Sequence, residues 1–240
     1  MTQREQSTPR CAAIVGPYLS GKTTILESLL ATAGVIGRRG TVREGNTVGD
    51  SSAEARARQM STELSVAGIE YLGDSWTFID CPGSVELSQE ALSAMMVADV
   101  AVVVCEAGVD KALTVSPLLR FLDDNSIPHI IFVNKMDTQA ASLRATVEAL
   151  QGISQRPLIM RELPIRDGEE VTGLVDMISQ RAYKWTDGQQ ANEIDVPDSV
   201  QEWLGEARVT LLEALSDYDD TLLEALLEEK EVPVDEVYKY

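Results

Sequence analysis

The chain of 240 residues has little cysteine, one histidine and few basic side chains. Its three cysteines, Cys11, Cys81 and Cys105, form no C-x-x-C pair, which argues against a disulfide framework or a structural zinc site. Twenty Lys and Arg stand against 39 Asp and Glu, and this net charge of −19 argues against a surface that wraps DNA or RNA throughout. The longest apolar run, residues 95–104, is interrupted by Asp99 and is too short to span a bilayer. The polar N-terminus does not resemble a signal peptide, so we expect a cytoplasmic protein with no membrane and no direct DNA partner.

Acidic residues are concentrated in the last third of the chain. Residues 161–240 contain 21 acidic and 7 basic side chains, a net charge of −14, whereas residues 1–160 are nearly balanced at −5. We predict a core over residues 1–155 and an acidic α+β subdomain over residues 156–240. Acidic helices expected within residues 199–230 suit a protein partner or solvent better than RNA.

Apolar runs alternate with amphipathic stretches along the first 155 residues. Buried strands are predicted at residues 11–15, 100–105 and 128–134, with a strand pair at 70–72 and 76–80. Helices are predicted at residues 24–32, 86–97, 112–125 and 140–150, and residues 35–62 are predicted to form a long loop. Later strands are predicted at residues 158–163, 171–176 and 181–185, and later helices at 199–215 and 218–230. The alternation predicts an α/β fold, with a mostly parallel sheet and helices on both faces.

A phosphate-binding loop lies between the first predicted strand and helix. Residues 16–23, GPYLSGKT, fit the pattern G-x-x-x-x-G-K-[ST]. The glycines allow backbone N–H groups to close around a β-phosphate, the lysine supplies charge to the β- and γ-phosphates, and the threonine hydroxyl ligates Mg²⁺. The predicted nucleotide contacts here are Gly16, Ser20, Gly21, Lys22, Thr23 and Thr24.

Two further motifs follow strands in the order expected of a nucleotide-binding protein. Asp80 and Gly83 of DCPG suit Mg²⁺ and the approach of a backbone N–H to a γ-phosphate. In the sequence NKMD, the Asp137 carboxylate can accept hydrogen bonds from two donors of guanine that adenine lacks, while Asn134 and Lys135 brace the loop and the base. These motifs predict GTP or GDP with Mg²⁺, and they disfavour a P-loop ATPase or a small-molecule kinase.

With these motifs in place, the sequence resembles the translational GTPases, especially elongation factor G and the elongation factor G-like proteins. Residues 45–61 occupy the position of the family's first switch, and residues 80–83 that of the second. Segments at 163–165, 173–176 and 182–185 resemble the insertion that elongation factor G carries within its GTP-binding domain. The resemblance implies a P-loop GTPase fold with an inserted α+β subdomain. It also implies GTP hydrolysis coupled to a conformational switch at the ribosome.

Three positions depart from the family pattern. Ser84 stands where the family has a histidine that positions the attacking water; with Lys22 it forms the predicted catalytic set. Leu19 replaces an aspartate of the phosphate loop, which we expect to alter cation use. The first-switch hydroxyl that the family places on Mg²⁺ falls on Ser61 or on the adjacent Thr62, with Ser61 the predicted ligand. The alternative to an active GTPase is therefore a nucleotide-gated binding module with negligible hydrolysis.

Three further expectations concern features outside the motifs. No Ser-Ala pair follows Asp137, so we expect the core to lack its last strand and helix, to be a fragment, and to leave a sheet edge exposed beside residues 129–133. His129, the one histidine, is expected to be a strand-edge residue without a catalytic role. Residues 38–58 hold five arginines against three acids, which fits a solvated loop and a phosphate- or RNA-contacting role equally well.

Overall fold

The computed structural model describes residues 10–137, 142–168, 170–186, 191–228, 230 and 232–237. These residues divide into two compact units. The first contains the described residues up to Lys135 together with residues 142–156, and the second contains residues 136–137 and those from Pro157 onward. That the second unit is an insertion into the first domain stays a prediction.

The first unit is built on a five-stranded sheet with the strand order β2-β3-β1-β4-β5. Its strands are β1 (Arg10–Val15), β2 (Ser65–Tyr71), β3 (Asp74–Asp80), β4 (Val100–Glu106) and β5 (His129–Asn134). Strands β3, β1, β4 and β5 are parallel, and β2 pairs with β3 in antiparallel orientation. Its helices are α1 (Lys22–Thr32), α2 (Ala53–Arg58), α3 (Ser88–Val97), α4 (Val109–Leu113), α5 (Ser116–Asp124) and α6 (Leu143–Gln151). The predicted α/β class with a mainly parallel sheet is confirmed.

The register of the sheet brings the ends of its parallel strands to one edge. Ile14 of β1 pairs with Asp80 of β3, and Glu106 of β4 pairs with Asn134 of β5. Residues 12–15 of β1 are almost completely buried, as expected for a central strand covered on both faces. The loops that follow β1, β3, β4 and β5 therefore meet at a single edge, where parallel sheets place their ligands.

The structure corrects several predicted elements of the first unit. Residues 35–62 are not loop throughout: they contain a short 3₁₀ turn at Val42–Glu44 and helix α2, whose first turn is capped when the Ser52 hydroxyl accepts a hydrogen bond from the Ala55 N–H. The helix predicted at 112–125 is two helices, because Pro117 lies at the start of α5 and cannot continue a helix from α4. The predicted helix at 140–150 begins at Leu143 in the described part of the chain.

The second unit pairs a four-stranded antiparallel sheet with acidic helices. Its elements are β6 (Glu162–Asp167), β7 (Glu170–Asp176), β8 (Ala182–Lys184), β9 (Asn192–Ile194), α7 (Asp198–Ser216), α8 (Asp220–Leu227) and α9 (Val234–Val237). Leu163, Val175 and Met177 share a buried apolar core with Leu204 and Leu222. The sequence did not predict β9, which at three residues is too short to show a period.

The first strand of this unit begins later than predicted. The prediction started at residue 158, but β6 begins at Glu162, which pairs with Asp176 at the far end of β7. The chain turns directly after Asp176, whose carboxylate accepts hydrogen bonds from the Ile178 and Ser179 N–H groups. Residues 158–161 therefore lie beyond the end of the partner strand. Among the described residues, no helix combines the length and apolarity needed to cross a bilayer.

Candidate nucleotide-binding site

The phosphate loop runs from the end of β1 into α1. Gly16 and Gly21 have φ angles of 150° and 98°, in the region that favours glycine. A Cβ atom on Gly16 would overlap the Val104 carbonyl oxygen, and one on Gly21 would overlap the Asn134 amide. Gly21 precedes α1 and offers no side-chain cap, so the N–H groups of the first helical turn are available to an anion.

Lys22 is held inside this loop. Its side chain is buried, and its Nζ donates a hydrogen bond of 2.8 Å to the Pro17 carbonyl. Burial lowers the pKa of Lys22, while the carboxylates of Asp80 and Asp50 act in the opposite direction. Gly83 comes so close to this ammonium that a Cβ atom there would overlap Nζ. The arrangement brings the lysine and Gly83 of the DCPG segment together, while the roles predicted for them toward the phosphates stay predictions.

The side-chain oxygens of Thr23, Asp80 and Ser61 form a cluster. The Thr23 hydroxyl donates a hydrogen bond of 2.6 Å to Asp80 Oδ2, and its Oγ1 lies 3.2 Å from Ser61 Oγ. Asp80 is 1% exposed, and its Oδ1 atom has no hydrogen-bond partner. Burial raises the pKa of Asp80 to about 6, although Thr23 and Lys22 partly offset the effect. A hard divalent cation accepts such oxygens as ligands, so these residues fit Mg²⁺. The contact with Thr23 favours Ser61 over Thr62, and this ligand set stays a prediction.

Asp50 is a second buried carboxylate near this cluster, and the sequence did not single it out. It is 5% exposed, and its Oδ2 atom has no hydrogen-bond partner. Its charge opposes the lowering of the Lys22 pKa by burial and adds to the raising of the Asp80 pKa, which places Asp50 in the electrostatic neighbourhood of the phosphate loop. A buried carboxylate oxygen without a partner is costly, so this position is also suited to a cation or to its bound water.

The NKMD segment, residues 134–137, is tied to the phosphate loop by two hydrogen bonds. Asn134 Nδ2 donates to the Ser20 carbonyl at 2.9 Å, and Lys135 Nζ donates to the Leu19 carbonyl at 2.7 Å. Asp137 is exposed, and it belongs to the short segment that groups with the second unit. The structure therefore brings Asn134 and Lys135 to the phosphate loop, and the role of Asp137 stays a prediction.

Glu106 at the end of β4 is another residue that the sequence did not indicate. Its carboxylate accepts a hydrogen bond of 2.6 Å from Lys135 Nζ and lies 3.6 Å from Lys111 Nζ. These ammonium groups, Lys135 first, lower the pKa of Glu106. Since Lys135 also contacts the phosphate loop, Glu106 helps to hold the NKMD segment in position.

The remaining predicted site residues are less constrained. Ser20 is buried, and its Oγ atom has no hydrogen-bond partner, whereas Thr24 is exposed on the first turn of α1. Ser84 is half-buried before a short 3₁₀ turn at Val85–Leu87, and its hydroxyl does not cap that turn.

His129, which was not predicted to belong to the site, contacts the Ile127 carbonyl at the amino end of β5. At a rise of about 3.3 Å per residue it lies about 16 Å along the strand from Asn134.

Comparison with known proteins gives consistent similarities. The profile of the family described as the elongation factor Tu GTP binding domain matches residues 8–234. An elongation factor G-like protein of Synechocystis is 50% identical over 228 residues, which cover 95% of this chain and 34% of that protein. The mitochondrial ribosome-releasing factor 2 of Danio rerio is 31% identical over 220 residues, covering 88% of this chain and 29% of that protein.

The fold has a close counterpart among solved structures. A crystal structure of a Thermus thermophilus protein superposes with a TM-score of 0.87 at 30% identity, covering 96% of this chain and 34% of that one. The chain thus spans about a third of the length of the relatives that it matches.

Proposed function

The chain belongs to the elongation factor Tu GTP-binding domain family, and from this premise we propose that its first unit binds GTP with Mg²⁺ and hydrolyses it to GDP and phosphate. The observation that supports this most directly is the meeting of three motifs at one sheet edge. The Asn134 amide reaches the phosphate loop, and the buried Asp80 reaches Thr23. Each contact joins residues far apart in sequence, which a chance match to one motif does not explain.

The residues have separate roles in this proposal. The N–H groups of the phosphate loop and the Lys22 ammonium bind the β- and γ-phosphates. Thr23, Asp80 and Ser61 would hold Mg²⁺, which when bound neutralises charge that develops on the phosphate oxygens. In hydrolysis, water attacks the γ-phosphorus, the bond to the β–γ bridging oxygen breaks, and GDP and phosphate leave. Asp137 would accept the two guanine donors and so exclude adenine.

Ser84 supports a second candidate function. A serine hydroxyl is shorter than an imidazole and is a poor proton acceptor near pH 7, so it positions a water less effectively. The half-buried Ser84 therefore favours slow hydrolysis, and in the extreme case a binding module that changes shape with the bound nucleotide.

Single-turnover hydrolysis with ribosomes separates the two candidates. Ser84→His should raise the rate about tenfold or more if the missing imidazole limits it. Ser88→His, on the exposed start of α3, is the matched control and should have no effect. An unchanged rate in Ser84→His would reject this explanation of slow turnover.

The ribosome is the partner that this family membership favours, with the cytoplasm as the setting. Support comes from two relatives, an elongation factor G-like protein and a ribosome-releasing factor. Movement of residues 51–62, in the later part of the first-switch region, with the γ-phosphate would provide the switch. The acidic surface of α7 and α8 would then face a protein partner rather than RNA.

Nucleotide affinity tests the proposal. Wild-type protein should bind GTP at least about 10³-fold more tightly than ATP, because a site built for guanine donors leaves its acceptor unpaired with adenine. Lys22→Ala should weaken GTP binding, whereas Lys184→Ala, in the second unit, should not. Asp137→Asn should reduce the preference for GTP, with Asp110→Asn as the matched control. Equal binding of ATP and GTP, or no effect of Asp137→Asn, would refute the guanine assignment.

A further inference from the structure

Glu27 on α1 is a fully buried carboxylate that the nucleotide chemistry does not use. It lies five residues after Lys22 and has an exposed fraction of 0%. Burying a carboxylate is unfavourable unless hydrogen bonds replace its hydration, and an apolar residue of similar size usually packs at lower cost. A carboxylate at this position therefore points to groups that require an acceptor.

The two carboxylate oxygens bind both ends of one short loop. Oε2 accepts a hydrogen bond of 2.8 Å from the Gly40 N–H, and Oε1 accepts one of 2.5 Å from the Val48 N–H. One side chain of α1, the helix that follows the phosphate loop, thus holds the two ends of residues 40–48. Hydrogen bonds to an ionised acceptor are stronger than those between neutral groups.

Residues 40–48 also close on themselves. The Thr41 N–H donates a hydrogen bond of 2.7 Å to Asn46 Oδ1. Gly40 packs so closely on Asn46 and Thr47 that a Cβ atom there would lie 2.9 Å from the Thr47 Cα atom. Glycine at position 40 therefore permits the closure, and Glu27 fixes the closed loop to α1.

The two halves of the first-switch region are held in different ways. Val48, held by Glu27, lies two residues before the buried Asp50, and Ser65 Oγ donates a hydrogen bond of 2.6 Å to the intervening Gly49 carbonyl. Beyond Asp50 the chain enters α2, most of which is exposed, before reaching Ser61. Ser61 contacts the site through its hydroxyl, 3.2 Å from that of Thr23.

We propose that Glu27 is a positioning residue that clips residues 40–48 to α1 in every nucleotide state. The clip confines nucleotide-dependent movement to the residues after Asp50, and it holds Asp50 beside Lys22 and Asp80. The division of this region into a fixed part and a moving part rests on the proposed GTP-binding function. The two hydrogen bonds of Glu27 form without nucleotide.

Amide hydrogen exchange of the full chain by NMR tests the clip without nucleotide. In the wild-type protein the Gly40 and Val48 amides should be protected. Glu27→Gln keeps the size of the side chain but replaces one acceptor oxygen by an NH₂ donor, so at least one of these two amides should exchange about tenfold faster or more. Glu44→Gln is the matched control, because this exposed carboxylate of the same loop contacts the side chains of Arg38 and Asn46. Amides of β1 and β4 provide the reference for global unfolding.

The same measurement with GDP and with a non-hydrolysable GTP analogue tests the division of the region. We expect the Gly40 and Val48 amides to keep their protection in all states, while residues 51–62 gain protection with the analogue alone. The inference is overturned if Glu27→Gln leaves both amides unchanged, or if the wild-type amides become protected with the analogue alone. If the Glu27→Gln variant fails to fold, the comparison of the wild-type Gly40 and Val48 amides between nucleotide states still tests the inference. If the wild-type chain binds neither nucleotide, the proposed function fails, and the exchange of the ligand-free proteins still decides the clip.

Discussion

Asp80 is charged at neutral pH against the preference of its surroundings, and replacing it by asparagine should stabilise the ligand-free chain. The carboxyl has a pKa of about 6 in the folded protein and a reference value of 3.8. Between these values the folded chain holds more protons than the unfolded chain, so the free energy of unfolding falls as the pH rises through this range. The difference of about 2 pKa units corresponds to about 3 kcal/mol at pH 8.

Asp80→Asn should remove this pH-dependent loss. Asparagine stays neutral, and its side-chain oxygen can still accept the hydrogen bond from the Thr23 hydroxyl. We expect the variant to be up to about 3 kcal/mol more stable than wild type at pH 8 and about equal to it at pH 4. The same substitution removes a predicted Mg²⁺ ligand, so the variant should no longer gain stability from GTP and Mg²⁺.

Urea unfolding followed by tryptophan fluorescence measures this effect. Trp76 lies in the first unit, whereas Trp185 and Trp203 lie in the second, so both proteins should carry Trp185→Phe and Trp203→Phe. Trp76 then reports on the unit that contains Asp80. Asp74→Asn is the matched control, because Asp74 begins the same strand and forms a partly exposed ion pair with Arg10. It should change stability by about 0.5 kcal/mol or less.

The reasoning is refuted if the free energy of unfolding of the wild-type protein does not fall, relative to that of Asp80→Asn, between pH 4 and pH 7. That result would mean that the carboxyl is not destabilised by burial. Loss of stability in Asp80→Asn at pH 8 would have the same meaning. Retention of the full stabilisation by GTP and Mg²⁺ in the variant would instead reject Asp80 as a ligand.

Two other predictions concern Glu106 and the cysteines. Glu106→Gln should weaken guanine-nucleotide binding about tenfold, because Lys135 loses its charged partner. Lys111→Gln, the control, should have a smaller effect. Equal effects of the two substitutions in titration calorimetry would contradict this role for Glu106. Burial raises the pKa of Cys81 to about 12 and that of Cys105 to about 11. At pH 8 a disulfide reagent should therefore label the half-buried Cys11 first, and it should label all three thiols only when urea unfolds the chain. Rapid labelling of Cys81 in the native chain would contradict its burial.

The arrangement of the first unit could be predicted because its signals are local. Apolar strands followed by motif loops imply a parallel sheet, and a parallel sheet places those loops at one edge. The contacts between Asn134 and Ser20 and between Asp80 and Thr23 follow from this topology. Pro117 was also a visible signal for the break between α4 and α5, but the apolar periodicity on either side of it indicated one helix.

The buried acids could not be recognised in the same way. In the sequence, Glu27 and Glu106 look like the charged positions of an amphipathic helix and a strand end, which are usually solvated. Glu27 is buried because residues 40–48 fold back over α1, and Glu106 is paired because β5 delivers Lys135 beside it. Both effects depend on tertiary contacts between segments that are distant in the sequence. No local pattern of residues in either segment indicates such a contact.

The buried charges of the site also link its stability to its ligand. Asp50, Asp80 and Lys22 are almost completely buried, and the two aspartates each keep a carboxylate oxygen without a partner. A divalent cation with a triphosphate would supply the missing opposite charges, so binding should relieve the unfavourable burial of these groups. At a ligand concentration 100 times the dissociation constant, linkage alone stabilises the folded chain by about 2.7 kcal/mol, similar to the loss attributed to Asp80. The first unit should therefore be most stable with nucleotide and Mg²⁺ bound, and the stability of the ligand-free protein should be limited by this edge of the sheet.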